Sequence, residues 1–264
     1  MAGKANPIPS VWARPHAEPD QPALSRAAIV REAIALLDAE GIEALSMRKL
    51  GARLSAGATS LYRHVATKDE LMELAVDEVF GEIIVPPADS RDWRAAATEA
   101  AGSLRATALR HPWLGSVLAQ AGLAYLGPKL MSVTERLAAL FTATGFSDPR
   151  GAIDTVVSYV IGISTTEAAW LSTVARSGQT EEAFIARFLP AAEQAATGHD
   201  LLAESYAAVG ALDPAKVRDA KFAYGLDVIF DGLALQKILD PQVDVDSSYR
   251  LLTDMLQEVL SKKR

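Results

Sequence analysis

The sequence predicts an all-α fold in two parts, a small N-terminal domain that contains a helix-turn-helix and a larger C-terminal bundle of helices. Two observations support this fold class. Apolar residues recur at intervals of three and four along most of the chain, which is the period of a helix with one buried face. No segment combines a two-residue alternation with β-branched residues, so we expect no sheet.

The composition limits the kinds of protein that the chain can be. Its 264 residues suffice for one large or two modest domains, and 50% of them are hydrophobic. The absence of cysteine excludes disulfides and thiolate chemistry. The most apolar stretch, residues 153–170, is interrupted by Asp154, Glu167 and several hydroxyl side chains, which predicts that the protein does not span a membrane. We therefore expect a cytoplasmic protein without a membrane partner.

Catalytic and metal-binding motifs are missing from the sequence. The four histidines are too far apart in the chain for a known metal-ligand spacing. There is neither a Gly-x-Ser-x-Gly turn nor a glycine-rich loop for phosphate. We predict no enzymatic activity, no cofactor and no metal.

The predicted elements begin after an extended arm at residues 1–23, which contains five prolines. A first helix begins next to Ser25, whose hydroxyl suits an N-cap, and ends at Gly41. One apolar face of this helix is formed by Val30, Ala33, Ile34 and Leu37.

Two short helices follow, at about 46–54 and 58–64, and a turn at 55–57 separates them. Their facing sides are predicted to be lined by Leu50, Leu54, Leu61 and Val65.

A longer helix is predicted from Thr67 to about Ile83, because Thr67 and Glu70 have the spacing of a capping box. Two prolines at 86–87 end it. We therefore expect one domain at residues 24–85 and a second at residues 88–264.

The segment from Ala44 to Lys68 carries a local excess of positive charge. The chain has a net charge of -7, yet this segment contains no Asp or Glu and has basic residues at Arg48, Lys49, Arg53, Arg63 and Lys68. A helical pair without acidic residues is where a polyanion such as DNA would bind an acidic protein. The alternative is a solvated basic face on an ordinary helical bundle.

The second short helix would place small and polar side chains in a DNA major groove. The residues expected to point outward are Ala58, Thr59, Ser60, Tyr62, Arg63 and His64. Arg63 could bind a guanine edge and Thr59 a thymine, whereas Tyr62 and His64 suit phosphates. Ser46 and Lys68 each lie at a helix start, where a hydroxyl, free N–H groups or an ammonium suit phosphate.

Residues 24–83 resemble the DNA-binding domain of the TetR family of transcriptional repressors. The resemblance rests on Gly41-Ile42-Glu43-Ala44-Leu45-Ser46-Met47-Arg48-Lys49-Leu50, on Thr59-Ser60-Leu61-Tyr62-Arg63-His64-Val65 and on Lys68. It implies base contacts from Arg48, Ala58, Thr59 and Ser60, and contacts to the DNA backbone from Tyr62, His64 and Lys68. The rest of the chain is similar in length and pattern to the regulatory domain of this family.

Beyond residue 88 every periodic segment is again helical. Helices are expected near 91–110, 113–119, 128–144, 149–176, 180–196, 199–209, 215–239 and 247–261.

The 215–239 helix is apolar on two sides, so both must be buried. One side, at Phe222, Leu226, Ile229 and Leu233, suits the core. The other side predicts a dimer interface at Gly225, Val228, Gly232 and Leu235, with the 149–176 helix completing a four-helix bundle across a twofold axis. The alternative is a helix buried within a monomer.

A small-molecule cavity is expected between the helices of this C-terminal bundle. The candidate lining residues are His111, Trp113, Phe141, Tyr159, Ile163, Thr166 and Trp170, although for any single one of them a position in the core is the more common outcome. Their composition predicts a mainly apolar or aromatic effector.

Together these features predict a homodimeric regulator that represses transcription by binding a palindromic double-stranded DNA operator. A small molecule would release it by tilting the 67–83 helix. The alternative is an all-helical small-molecule-binding protein or enzyme whose helix-turn-helix no longer binds DNA.

Overall fold

The structure, a computed structural model, describes residues 24–88, 92–118, 126–209 and 212–239, together with Thr253. Every regular element in these ranges is helical, which confirms the all-α prediction. The helices are α1 (Arg26–Glu40), α2 (Met47–Arg53), α3 (Ala58–Tyr62), α4 (Lys68–Phe80), α5 (Trp93–Arg110), α6 (Leu114–Leu118), α7 (Pro128–Ala143), α8 (Pro149–Ser177), α9 (Glu181–Ala195), α10 (Asp200–Val209) and α11 (Pro214–Leu239). The N-terminal arm and the helix predicted at 247–261 fall outside the described residues, apart from Thr253.

The chain forms two compact units, which meet in sequence between Thr144 and Gly145. The first unit extends past the domain boundary expected at residues 85–88, because α7 packs against α4 and α5. Its core is formed by Ile29, Leu36, Leu50, Leu61, Val65, Leu71, Val76, Trp113, Leu114 and Val117. The division into functional domains at residues 24–85 and 88–264 remains a prediction.

Local capping sets the ends of the first helices as the sequence predicts. Ser25 Oγ accepts a hydrogen bond from Ala28 N at 3.2 Å at the start of α1. Gly41 ends α1 with φ of 80°, a left-handed value that glycine adopts without strain. A short 3₁₀ turn, Ile42–Ala44, then leads to α2 and was not predicted.

The turn between α2 and α3 depends on Gly51, a residue in the last turn of α2. The residue before it, Leu50, is fully buried. The carbonyl oxygen of Gly51 accepts a hydrogen bond from Ala56 N at 2.8 Å. A Cβ atom at position 51 would lie 2.6 Å from the carbonyl oxygen of Ala56. Only glycine therefore allows the two short helices to approach this closely.

In the second unit, α8 packs against α9 and α11, and α10 packs against α9. The core side of α11 contains Phe222, Leu226, Phe230 and Leu233, all buried. Tyr159 of α8 donates from its hydroxyl to the carbonyl oxygens of Lys221 and Phe222, at 3.2 and 3.0 Å. These contacts fix the middle of α8 against the first half of α11.

Candidate nucleic-acid interface and effector cavity

The segment from Ala44 to Lys68 contains no acidic residue, but in the folded chain two of its basic side chains lie next to carboxylates of α1. Lys49 of α2 forms an ion pair with Glu40 at the end of α1, and Arg53 pairs with Glu32 in the middle of α1. The other three basic side chains, Arg48, Arg63 and Lys68, are exposed. None of these three pairs with a carboxylate in the parts of the chain that the structure describes. The positive charge available to a ligand is therefore concentrated on them.

The recognition-helix candidate α3 presents one buried and one exposed side. Leu61 is fully buried, whereas Thr59, Tyr62 and Arg63 are exposed. Ala58 and Ser60 are half-buried, so their side chains are less accessible than the sequence predicted. Together these positions form a short polar surface at the start of a helix, as a major-groove reader requires.

His64 follows α3, and its backbone carbonyl and its imidazole ring lie in different surroundings. Its carbonyl oxygen accepts a hydrogen bond from Arg26 Nε at 3.3 Å, which ties the end of α3 to the start of α1. Its Nδ1 atom is buried and has no hydrogen-bond partner among the described residues. His64 is half-buried, and its contact with a phosphate remains a prediction.

The starts of α2 and α4 are capped by hydroxyl side chains. Ser46 Oγ accepts from Lys49 N at 3.2 Å, and Thr67 Oγ1 accepts from Glu70 N at 3.0 Å. Glu70 completes the second cap by accepting from Ala66 N at 3.0 Å, one residue earlier than a standard capping box. Lys68 occupies the first position of α4 and points into solvent.

Helix α4 is joined to α7 through a buried carboxylate, which no pattern in the sequence predicted. Asp77 Oδ1 accepts hydrogen bonds from Lys129 N and Leu130 N, both at 2.9 Å, and so caps the N-terminus of α7. Gly127 precedes this helix, and a Cβ there would lie 2.1 Å from Asp77 Oδ1. Burial raises the pKa of Asp77 above its ordinary value, against the two backbone hydrogen bonds that lower it.

Three of the seven predicted effector-binding residues lie within the first unit. His111 is buried, with Nδ1 2.8 Å from Asp38 Oδ1 and Nε2 3.3 Å from both oxygens of Glu82. Trp113 is also buried and donates from Nε1 to the same Asp38 oxygen at 2.7 Å. Phe141 is buried as well, and its ring lies 6.4 Å from that of Trp93. Each of these side chains has a packing or hydrogen-bonding role, and their effector contacts remain predictions.

Three other predicted residues, Ile163, Thr166 and Trp170, line one cavity in the second unit. This first cavity has a volume of about 340 Å³, at the lower end of the range of small-molecule sites. Its remaining lining residues are Glu167, Glu181, Ile185, Leu212, Pro214, Val217, Arg218 and Lys221. The seventh predicted residue, Tyr159, binds the backbone of α11 instead.

One side of the first cavity carries a charged network that joins three helices. Arg218 of α11 donates from Nε to Glu167 of α8 at 3.1 Å and from Nη1 to Glu181 of α9. Trp170 donates from Nε1 to the same Glu181 oxygen at 2.6 Å. The network holds the indole ring in one orientation and neutralises most of the charge of Arg218.

The predicted dimer side of α11 is exposed over most of its length. Val228 and Leu235 are 54% and 40% exposed, and Tyr224 on the same side is 73% exposed. Among the described residues, no atom would lie within 4 Å of a Cβ at Gly232, which leaves room for an approaching helix. Gly225 differs, because a Cβ there would lie 2.1 Å from the hydroxyl oxygen of Tyr159. The close approach that Gly225 allows is therefore to α8 of the same chain.

The described residues contain no group of three or more side chains arranged to hold a metal ion. Among them, no helix has the length and hydrophobicity that crossing a membrane requires.

Comparisons with known proteins identify both parts of the chain. Residues 29–75 match the model of bacterial regulatory proteins of the tetR family, and residues 86–237 match the tetracyclin repressor-like C-terminal domain. The chain is 33% identical over 224 residues to the HTH-type transcriptional repressor DrrR1 of Streptomyces coeruleorubidus. This match covers 83% of the chain and 77% of DrrR1. It is 40% identical over 164 residues to an HTH-type transcriptional regulator of Saccharopolyspora erythraea, covering 61% of the chain and 69% of the relative.

Solved structures show the same similarity at the level of the fold. The TetR family protein ActR of Streptomyces coelicolor, in complex with actinorhodin, superimposes with a TM-score of 0.66. The two sequences are 30% identical, and the match covers 80% of this chain and 95% of ActR.

Proposed function

The chain belongs to the TetR family of transcriptional regulators, and from that membership we propose that it binds a palindromic operator as a homodimer through α2, α3 and the start of α4. The observation that carries this proposal is the charge distribution of the helix-turn-helix. Arg48, Arg63 and Lys68 are exposed without a carboxylate partner in the described ranges, whereas Lys49 and Arg53 are neutralised by α1. Positive charge is thus directed to the surface that α3 would bring to DNA.

In this proposal, Arg48 and the start of α3 contact bases, at Ala58, Thr59 and Ser60, with Arg63 as a further base-reading side chain. The DNA backbone is bound by Ser46, Tyr62, His64 and Lys68. Two copies of α3 would reach successive major-groove half-sites about 34–36 Å apart. The protein would act in the cytoplasm, where bacterial DNA lies.

The test is selection of bound duplexes from a random pool at physiological salt, followed by affinity measurements on the selected palindrome. We expect Lys68→Ala to weaken binding to all duplexes and to reduce the dependence of log affinity on log salt by about one. Arg48→Ala should cost about 1–3 kcal/mol on the palindrome and relax the base preference at one position.

Lys49→Ala is the matched control, because Lys49 lies next to Arg48 but is paired with Glu40. We expect it to change operator affinity by less than about three-fold, as is usual for an exposed ion pair. If Lys49→Ala weakened binding as much as Lys68→Ala, the assignment of contacts would be wrong. Failure to enrich any duplex with a folded dimer would favour the alternative, a helical small-molecule-binding protein.

We further propose that the exposed side of α11 forms the dimer interface, with Val228, Gly232 and Leu235 at its centre and Gly225 at its edge.

Replacing Val228 and Leu235 together by glutamate should place charges in the contact and dissociate the dimer. Sedimentation should then report a monomer, and operator affinity should fall by about 100-fold or more because one half-site binds alone. Leu201→Glu is the control, since Leu201 is 84% exposed on α10. A dimer that survives the α11 double variant would place the interface elsewhere.

The regulator is proposed to repress transcription until a small molecule binds the C-terminal bundle. Two relatives support this: DrrR1 is named a repressor, and ActR is known in complex with actinorhodin. Three predicted effector-binding residues line the first cavity, which supports an apolar or aromatic effector there. The effector would change the tilt of α4, and DNA and effector would then weaken each other's binding by the same factor.

A further inference from the structure

A second cavity adjoins the first one in the C-terminal unit. It has a volume of about 290 Å³ and shares Ile185, Leu212 and Pro214 with the first cavity. The two cavities therefore form one groove with two compartments along α9. Aromatic and aliphatic side chains line much of the first compartment, whereas the charged side chains described in the second are carboxylates, and this difference indicates the chemistry of a ligand that would occupy both.

The first compartment is suited to a flat aromatic group. Trp170 forms one wall, and its indole is fixed by the hydrogen bond to Glu181 and by the ring of Phe184, 5.3 Å away at 84°. The neighbouring apolar side chains Ile163 and Val217 line the same compartment. A rigid indole among aliphatic side chains favours aromatic ligands, because little side-chain entropy is lost on binding.

The second compartment is acidic. Glu182 and Glu193 line it, and none of the described residues in its lining is basic. The basic residues nearest in sequence are otherwise placed, since Arg187 lies over the ring of Phe184 and Arg218 is bound to Glu167 and Glu181.

Taken together, the groove is lined by more negative than positive side chains. Its linings include the carboxylates Glu167, Glu181, Glu182 and Glu193 and the cations Arg218 and Lys221. The excess of carboxylates would attract a positively charged group and repel an anion.

We propose that this groove binds amphipathic organic cations, with an aromatic body against Trp170 and a protonated amine in the acidic compartment that Glu182 and Glu193 line. The assignment of such a cation as the effector rests on the function proposed above. Binding of the cation itself follows from the linings of the two compartments and can be measured without DNA.

Three dansyl compounds of similar size and different charge provide the test: dansylcadaverine, dansylamide and dansylglycine, which are cationic, neutral and anionic at pH 7.5. Titration of the full-length protein with each compound is followed by dansyl emission, excited directly. We expect dansylcadaverine to bind at least about ten-fold more tightly than dansylglycine at low salt, with dansylamide between them. Energy transfer from tryptophan should decrease in Trp170→Phe.

The double variant Glu182→Gln, Glu193→Gln should reduce the difference between cation and anion to less than about three-fold. Its control is Asp154→Asn with Glu204→Gln, which removes the same charge from exposed positions outside both linings. The control should retain the preference for the cation. Absence of that preference in the wild type, or its persistence in Glu182→Gln, Glu193→Gln, would overturn the proposal.

The operator experiment separates this proposal from the function proposed above. Dansylcadaverine that binds with the expected preference and lowers operator affinity supports both. If it binds with that preference but leaves operator affinity unchanged, cation binding is supported and the groove is not the effector site. If no dansyl compound binds to a protein that still binds its operator, the cation proposal is overturned and the DNA-binding function is retained.

Discussion

Replacing Gly51 with valine is expected to destabilise the helix-turn-helix by about 3 kcal/mol and to abolish specific DNA binding. The reason is steric, because a Cβ at position 51 would lie 2.6 Å from the carbonyl oxygen of Ala56. That oxygen belongs to the backbone, so a change of rotamer cannot relieve the overlap. Helix α3 would have to move away from α2, and Leu61 would lose its place in the core.

Gly57 provides the matched control for this variant. It lies six residues further on, at the N-cap of α3, where φ is −67° and a Cβ would meet no atom of the described chain within 4 Å. Gly57→Ala should therefore leave the free energy of unfolding within about 0.5 kcal/mol of the wild type. Denaturant unfolding monitored by circular dichroism measures both variants. Equal stability of Gly51→Val and Gly57→Ala would show that the two short helices can separate without cost.

The features that the sequence predicted correctly are mostly local ones. The caps at Ser25 and Thr67, the stop at Gly41 and the two buried leucines at 50 and 61 each depend on residues close in the chain. Helical periodicity also located three of the four core residues predicted on α11, since its spacing is a property of one helix. The fourth, Ile229, is half-buried, and Phe230 is buried instead. The family resemblance, confirmed by the comparisons, rests on a similarly short segment.

Features that depend on distant residues could not be predicted in the same way. The sequence shows no acid between residues 44 and 68, but α1 brings Glu40 to Lys49 and Glu32 to Arg53. No periodicity indicates which of the seven candidate lining residues share a cavity, because this depends on how helices pack. Helix packing instead places Trp170 in the cavity lining and Trp113 in the core of the first unit. An ion pair or a helix cap between distant residues leaves no repeating signal in one sequence.

The cap that Asp77 provides joins residues 52 and 53 positions apart, and Asp77→Ala is expected to lower the stability of the first unit by about 2–3 kcal/mol. The variant leaves the backbone N–H groups of Lys129 and Leu130 without their acceptor at the start of α7. Amide hydrogen exchange at these two residues should become at least about ten-fold faster. Glu78→Ala is the control, because Glu78 forms an exposed ion pair with Lys129 and its loss should cost at most about 1 kcal/mol.

Asp77→Asn separates the hydrogen bonds of this cap from its charge. Both backbone N–H groups bind one oxygen, Oδ1, which an amide also has, so exchange at Lys129 and Leu130 should stay slow. Burial raises the pKa of Asp77 in the folded chain, so the folded state keeps this proton to a higher pH than the unfolded state. The stability that this proton contributes is complete below the unfolded pKa and is lost as pH rises through the folded pKa.

Above the folded pKa of Asp77 its buried charge therefore costs stability, and Asp77→Asn should there equal or exceed the wild type in its free energy of unfolding. The difference between the two proteins should shrink as pH falls through the folded pKa of Asp77, because the wild-type side chain then becomes neutral as well. If Asp77→Asn were as unstable as Asp77→Ala, the negative charge of Asp77, and not its oxygen acceptor, would hold the start of α7. The comparison thus decides whether α4 and α7 are joined by a hydrogen-bonded cap or by electrostatic attraction to a helix N-terminus.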